Sequence, residues 1–146
     1  MFKKLLLVCV GNICRSPTAE ILMRHRLQGR AGVEVASVGL QALVGRPIDP
    51  TAAELLREAG LDSDSHRARQ ASPSVLAAAD LVLVMEQAHL SRITREVPQV
   101  SGKTFLLGKW RGGREIPDPY RQQRAAFEHV YGLIDDCVAG WAPYIK

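Results

Sequence analysis

Residues 5–20 read LLLVCVGNICRSPTAE, an apolar run that breaks at Gly11-Asn12 and passes into Arg15, Ser16 and Pro17. Leu5–Val10 is apolar at every position rather than at alternate ones, and it is too short for a buried helix. That pattern fits a strand covered on both faces. Ser16-Pro17 reads as a helix start. Proline at the first helical position has its φ pre-set and gives up no needed N–H, and Ser16 can cap. Strand, tight loop and helix in that order form the opening unit of a parallel sheet.

The remaining chain repeats the alternation. A first helix is expected from Pro17 to Gln28, with Ala19, Leu22, Met23 and Leu27 at helical spacing and Gly29 to Gly32 ending it. Val33–Val38 alternates as a second strand. Pro50 opens a helix carrying Ala53, Leu55, Leu56 and Ala59, which stops at Gly60. Leu81–Met85 is a third buried strand, followed by a short helix over Gln87–Thr94, and Thr104–Leu107 is a weaker fourth strand. The irregular stretch GKWRGGREIPDPYR, residues 108–121, leads to a last helix striped by Phe127, Val130, Tyr131, Ile134, Cys137, Val138 and Trp141. The expectation is one α/β domain over residues 1–146, a central four-stranded parallel sheet flanked by helices on both faces. No internal repeat, low-complexity tract or linker interrupts it.

Composition narrows the function classes. A chain of 146 residues can bury a core without staples, and a hydrophobic share of 47% with 23% charged residues is that of a globular protein. No stretch approaches the roughly 20 apolar residues of a membrane span. MFKKLLLVCV has the lysines and apolar run of a short signal peptide. The run nevertheless ends at Gly11-Asn12 with no small-residue cleavage site before Arg15, so it reads as a strand. Three cysteines fit neither a zinc site nor a secreted disulfide framework, so reduced thiols and a cytoplasmic location are expected. The net charge of +4 favours anionic ligands. It is too small and scattered for nucleic acid, and only eight aromatic residues are present to stack on bases.

The loop from Cys9 to Ser16 sits where open parallel sheets bind ligands, at the carboxyl end of a strand. The amides of a tight loop and the orphan N–H groups of a helix start form a nest for an anion. Gly11 and Asn12 are residue types that accept left-handed backbone angles, which turn successive amides inward. Arg15 adds a planar fork matched to two phosphate oxygens, which a lysine cannot reproduce. Cys9 would point its sulfur into the same nest, where Arg15 and the helix end favour the thiolate. A thiolate facing a cradled phosphate is a nucleophile in attack position. The Walker pattern GxxxxGK[ST] is absent, so nucleotide hydrolysis of that kind is not indicated.

CVGNICRSPTAE resembles the phosphate loop of the low-molecular-weight protein tyrosine phosphatases. The resemblance implies that Cys9 attacks phosphorus, that Arg15 and the loop Val10, Gly11, Asn12, Ile13, Cys14 and Ser16 bind the phosphate, and that no metal or cofactor takes part. Within EIPDPYR, Asp118 lies between two prolines that stiffen its backbone, and it resembles the family's general acid. Tyr120 and Leu40 resemble the two walls around the substrate ring. Ser37 and His66, with Asn12, match the hydrogen-bonding support of the loop, and Ser16 would stabilise the departing thiolate. His25, His89 and His129 read as exposed helix residues, and Cys137 as core. The family also implies a reversible Cys9–Cys14 disulfide that shields the nucleophile.

The segment LLGKWRGGREIPDPYRQQRAAFEHVYGLID looks like the bacterial subgroup associated with capsule and exopolysaccharide tyrosine kinases. The implied partners are tyrosine-phosphorylated proteins, a bacterial tyrosine kinase among them. Arg121 stands where eukaryotic members usually carry a second tyrosine. Two other readings use the same loop. An arsenate reductase would need two further thiols to relay a disulfide, and LVLVMEQAHL contains none. A non-catalytic phosphotyrosine-binding module would be expected to have lost Cys9, Arg15 or Asp118.

Overall fold

The computed structural model describes residues 2–146. Four strands, β1 (Lys4–Cys9), β2 (Glu34–Gly39), β3 (Leu81–Val84) and β4 (Thr104–Leu106), form one parallel sheet in the order β2-β1-β3-β4. The helices are α1 (Arg15–Arg26), α2 (Pro50–Glu58), α3 (Pro73–Ala78), α4 (Gln87–Glu96) and α5 (Arg124–Trp141).

Strand parity builds two cores. Leu5, Leu7, Leu81 and Leu83 point to one face, where they meet Leu22 and Met23 of α1, Leu56 of α2 and Ile134 of α5. Leu6, Val8, Val82 and Val84 point to the other, against Leu76 of α3 and Ile93 of α4. A side chain of this kind fully removed from water contributes about 1.5–3 kcal/mol, so a strand apolar at every position stabilises both layers at once.

The strands fall within a residue of their expected limits. The first helix begins at Arg15, two residues before Pro17, and ends at Arg26. Ser16 is therefore inside the helix and does not cap it. The expected short helix after β3 runs on to Glu96. α3 was not anticipated. Its Ser-Pro start was visible, and Ser72 Oγ does accept the Val75 N–H at 3.2 Å, but six residues are too few for a periodic signal. In the irregular stretch a 3-10 turn, Lys109–Arg111, is closed by a bridge between Gly108 and Arg114.

The chain leaves β1 toward β2 on one side and reaches β3 on the other. Connections therefore diverge between β1 and β3, which opens a crevice at their carboxyl ends. At the opposite ends the Asp80 carboxylate accepts the N–H groups of Lys3 and Lys4, each at 2.8 Å, and ties β1 to the turn before β3. Among the described residues no helix is long and apolar enough to cross a membrane.

Candidate active site

Cys9 ends β1 in the crevice, and the chain then loops into α1. Every carbonyl of this loop is taken on its outer side. Leu40, Gln41 and Leu43 donate their N–H groups to Cys9, Val10 and Gly11, and Asp49 donates to Ile13. His66 Nε2 meets the Asn12 carbonyl at 2.7 Å, and Thr18 bonds that of Cys14. With the carbonyls engaged outside, the N–H edge is left to the cavity, the arrangement that binds anions. Asn12 carries the required left-handed backbone, with φ +60°. Gly11 does not have a positive φ, and a Cβ there would make only ordinary contacts, so the expected left-handed role belongs to Asn12 alone.

The fully buried Asn12 side chain locks that geometry. Its Oδ1 accepts the Arg69 N–H at 2.9 Å, which leaves Nδ2 to donate to Ser16 Oγ at 2.8 Å and Ser37 Oγ at 3.0 Å. Ser37 in turn donates to Glu20 at 2.6 Å. The Ser16 hydroxyl, which accepts from Asn12, lies 2.8 Å from Cys9 Sγ and 3.5 Å from the Val38 carbonyl oxygen.

Arg15 is 2% exposed, and a buried guanidinium needs partners. Nη1 donates to Glu86 Oε2 at 2.5 Å and to the Ile116 carbonyl at 2.9 Å, and Nη2 lies 3.8 Å from Asp118 Oδ2. Glu86 lies two residues past the end of β3, so the divergence of the two strand ends delivers the arginine and its counter-ion to one place. The acid-bearing loop is pinned from beneath, since the Ile116 N–H donates to Met85 at 2.9 Å. Asp118 itself is exposed; its Oδ1 accepts the Tyr120 N–H at 3.0 Å.

A cavity of about 190 Å³ is lined by Cys9 to Arg15 together with Gln41, Leu43, Asp118 and Tyr120. Leu40 is not part of it. Ala36, Val38 and Leu40 share one strand parity and lie in the core on the α4 face, whereas Ser37, Gly39, Gln41 and Leu43 face the loop. Leu43, not Leu40, is the leucine that lines the cavity. His89 is likewise not an exposed helix residue but is buried beside Glu86, unlike His25 and His129. Glu86, Gln41, Leu43 and Gly39 were missed by sequence reasoning. For Glu86 there was a signal, an acid placed immediately after an all-apolar strand at the sheet's point of divergence.

Cys14 is buried, and burial first, then the Asp49 and Asp118 carboxylates and Cys9, pushes its thiol well above the usual range. It stays protonated where the cavity meets the core. Cys137 is buried on α5 with its thiol raised, again chiefly by burial. Among the described residues no group of three or more His, Cys, Asp or Glu is placed to hold a metal ion.

A thiol, an arginine and a carboxylate converging on an amide-lined cavity at a strand end are the makings of a cysteine-dependent phosphate-ester site. The family model for low molecular weight phosphotyrosine protein phosphatases matches residues 4–146. The chain is 44% identical over 141 residues to the low molecular weight protein-tyrosine-phosphatase Etp of Escherichia coli K12, covering 97% of this chain and 93% of the relative. Solved structures agree. Vibrio vulnificus Wzb in complex with benzylphosphonate superposes with a TM-score of 0.93 at 42% identity, covering 99% of each chain. The tyrosine phosphatase Wzb of Escherichia coli K30 in complex with sulphate gives 0.94 at 39% identity, over all of both chains. The chain belongs to the low molecular weight protein-tyrosine phosphatase family.

Proposed function

We propose that this chain hydrolyses phosphotyrosine in proteins through a cysteinyl-phosphate intermediate. The observation that carries the reading is the single cavity shared by Cys9, Arg15 and Asp118 and walled by Tyr120 and Leu43. The Cys9 thiolate attacks phosphorus as the bond to the phenolic oxygen breaks, and Asp118 protonates that oxygen. Asp118 then takes a proton from water as the water attacks the phosphocysteine, and the sulfur leaves as a thiolate that accepts the Ser16 hydrogen bond. Arg15 and the loop amides hold the equatorial oxygens, whose charge dominates such transition states. Ser37 and His66 act through Asn12, keeping the loop in shape.

Substrate reach supports tyrosine. The phosphate of a tyrosine stands a full ring away from its backbone, and Tyr120 and Leu43 offer apolar surface to that ring. Serine phosphate would bring the peptide backbone against the rim. Benzylphosphonate, an aryl-methyl phosphonate, occupying the Vibrio protein supports the same choice. The reductase reading lacks support, since Cys137 is in the α5 core and no other thiol is near the loop except Cys14. The loop that departs from the eukaryotic pattern at Arg121 fits the bacterial subgroup, and the partner we assign is a cytoplasmic tyrosine kinase domain of exopolysaccharide or capsule production.

The deciding assay is phosphate release from phosphotyrosine and phosphoserine peptides in EDTA, with Cys9→Ser as control. Release from phosphotyrosine alone, abolished in the variant, is expected. Release that survives Cys9→Ser would overturn the mechanism.

A further inference from the structure

His89 has no place in the chemistry above, yet it is a buried titratable ring one residue removed from the phosphate site. It sits in the first turn of α4, hydrogen-bonded to the Glu86 main chain and close to the Glu86 carboxylate. The Glu86 main-chain N–H donates to His89 Nδ1 at 3.2 Å, while His89 Nε2 lies 3.6 Å from Glu86 Oε2. The same Oε2 atom holds Arg15 Nη1. A contiguous line therefore runs from the ring, through one carboxylate oxygen, to the guanidinium that cradles the phosphate.

We propose that His89 is a proton-sensitive positioning residue: neutral, it fixes Glu86 and through it Arg15, and protonated, it frees the Glu86 main chain and draws the carboxylate away from Arg15. This rests on the phosphatase reading for its consequence in turnover, but the coupling itself is a property of the folded protein. With Nδ1 accepting from the main chain, the neutral ring carries its proton on Nε2 and directs it at Glu86. Adding a proton at Nδ1 sets a donor against the Glu86 N–H, so the start of α4 must open. The new cation also faces Arg15 and competes with it for the one Glu86 carboxylate.

The charged groups around the ring set where this happens. Burial disfavours the imidazolium most, and Arg15 on α1 adds to it, while Glu86, Glu115 and Asp118 act in the opposite direction. The result lies below the usual histidine range, so the ring is neutral at neutral pH and switches only on acidification. The folded protein then binds fewer protons than the unfolded chain across that interval, so stability should also rise with pH through it.

Two measurements test the proposal. In the unmodified protein, NMR titration of the His89 ring and of the Arg15 guanidinium, with inorganic phosphate bound and without it, should show a shared midpoint below pH 6.5. An Arg15 signal that ignores the His89 midpoint would overturn the coupling, whether or not the protein turns over phosphotyrosine. For turnover, His89→Leu removes the acceptor and should lower kcat by about 10- to 100-fold, the effect of a displaced binding group. His89→Asn offers an amide oxygen near the Nδ1 position. It should recover most of that loss while removing one ionisation from the acid limb of the kcat profile. An unaltered acid limb in His89→Asn would refute the switch. If His89→Leu does not fold, the titration and the Asn variant decide.

Discussion

Gly39→Ala is a one-methyl change at the end of β2 that should reach the nucleophile. A Cβ at Gly39 would stand 2.4 Å from the Val10 carbonyl oxygen, 3.0 Å from Asn12 Cβ and 3.1 Å from Ala42 Cβ. Carbon and oxygen come no closer than about 3.3 Å in favourable contact, so one backbone must yield by about 0.9 Å. Neither can do so freely. The Val10 carbonyl is held by the Gln41 N–H at 2.9 Å, and Gly39 by Arg69 and Ala71 on its outer edge. Overpacking of this sort costs about 1–3 kcal/mol of stability. The larger loss is expected in catalysis, because Val10 follows Cys9 and its displacement tilts the loop amides; a 1 Å misplacement costs about 100-fold. The assay is kcat with an aryl phosphate alongside the inhibition constant for phosphate, both taken well below the melting temperature. We expect kcat to fall by about 100-fold and phosphate affinity to fall with it. A variant that is less stable but retains full kcat and phosphate affinity would refute the claim that this contact shapes the loop.

Asp118→Asn should slow phosphotyrosine hydrolysis by about 100- to 10,000-fold. The deficit should shrink with aryl phosphates whose leaving groups need no proton, and an equal deficit for both would remove the general-acid role. Asn12→Ala leaves the Arg69 N–H and two serines short of a partner and puts alanine, which tolerates left-handed angles less well than asparagine, at φ +60°; a loss of about 2–4 kcal/mol in urea unfolding is expected. Asn12→Gly should recover about 1 kcal/mol of it by relieving the backbone alone. The Asp80 carboxyl is held below its ordinary value of 3.8 by the Lys4 N–H first and then the Lys3 N–H. Its stabilisation is therefore complete above that value and is lost as pH falls through the lower, folded one. Unfolding of the unmodified protein and Asp80→Asn from pH 7 to pH 2.5 should show a gap that closes only in strong acid, and a constant gap would contradict this.

Sequence patterns disclosed what depends on neighbours along the chain. An apolar run, a Gly-Asn break and an arginine before Ser-Pro are enough for a strand, a nest and a phosphate fork, because the loop is made of consecutive residues. Ser16 shows where this stops. Its residue type and place before Pro17 suited a helix cap, but the helix had already begun at Arg15, and its hydroxyl was claimed by Asn12 and Cys9. Which of two roles a small polar residue adopts depends on partners that local spacing does not show.

Leu40 marks a different limit, and a more instructive one. Its parity was available in the sequence: Val38 and Ala36, two and four residues back along the strand, face the α4 core, so Leu40 must follow them unless the strand bulges. Applied past the last strand residue, that alternation places Gln41 and Leu43 at the cavity without any appeal to resemblance. Glu86 and His89 could not be assigned in the same way. They lie 71 and 74 residues from Arg15, and only the order β2-β1-β3-β4, with β3 rather than β2 beside the nucleophile's free flank, makes them its neighbours. A parallel sheet whose connections diverge at β1 must put the first residues after β3 against the phosphate loop. The acid and the histidine at the start of α4 are thus bound to the arginine by topology, and their identities determine how firmly it is held.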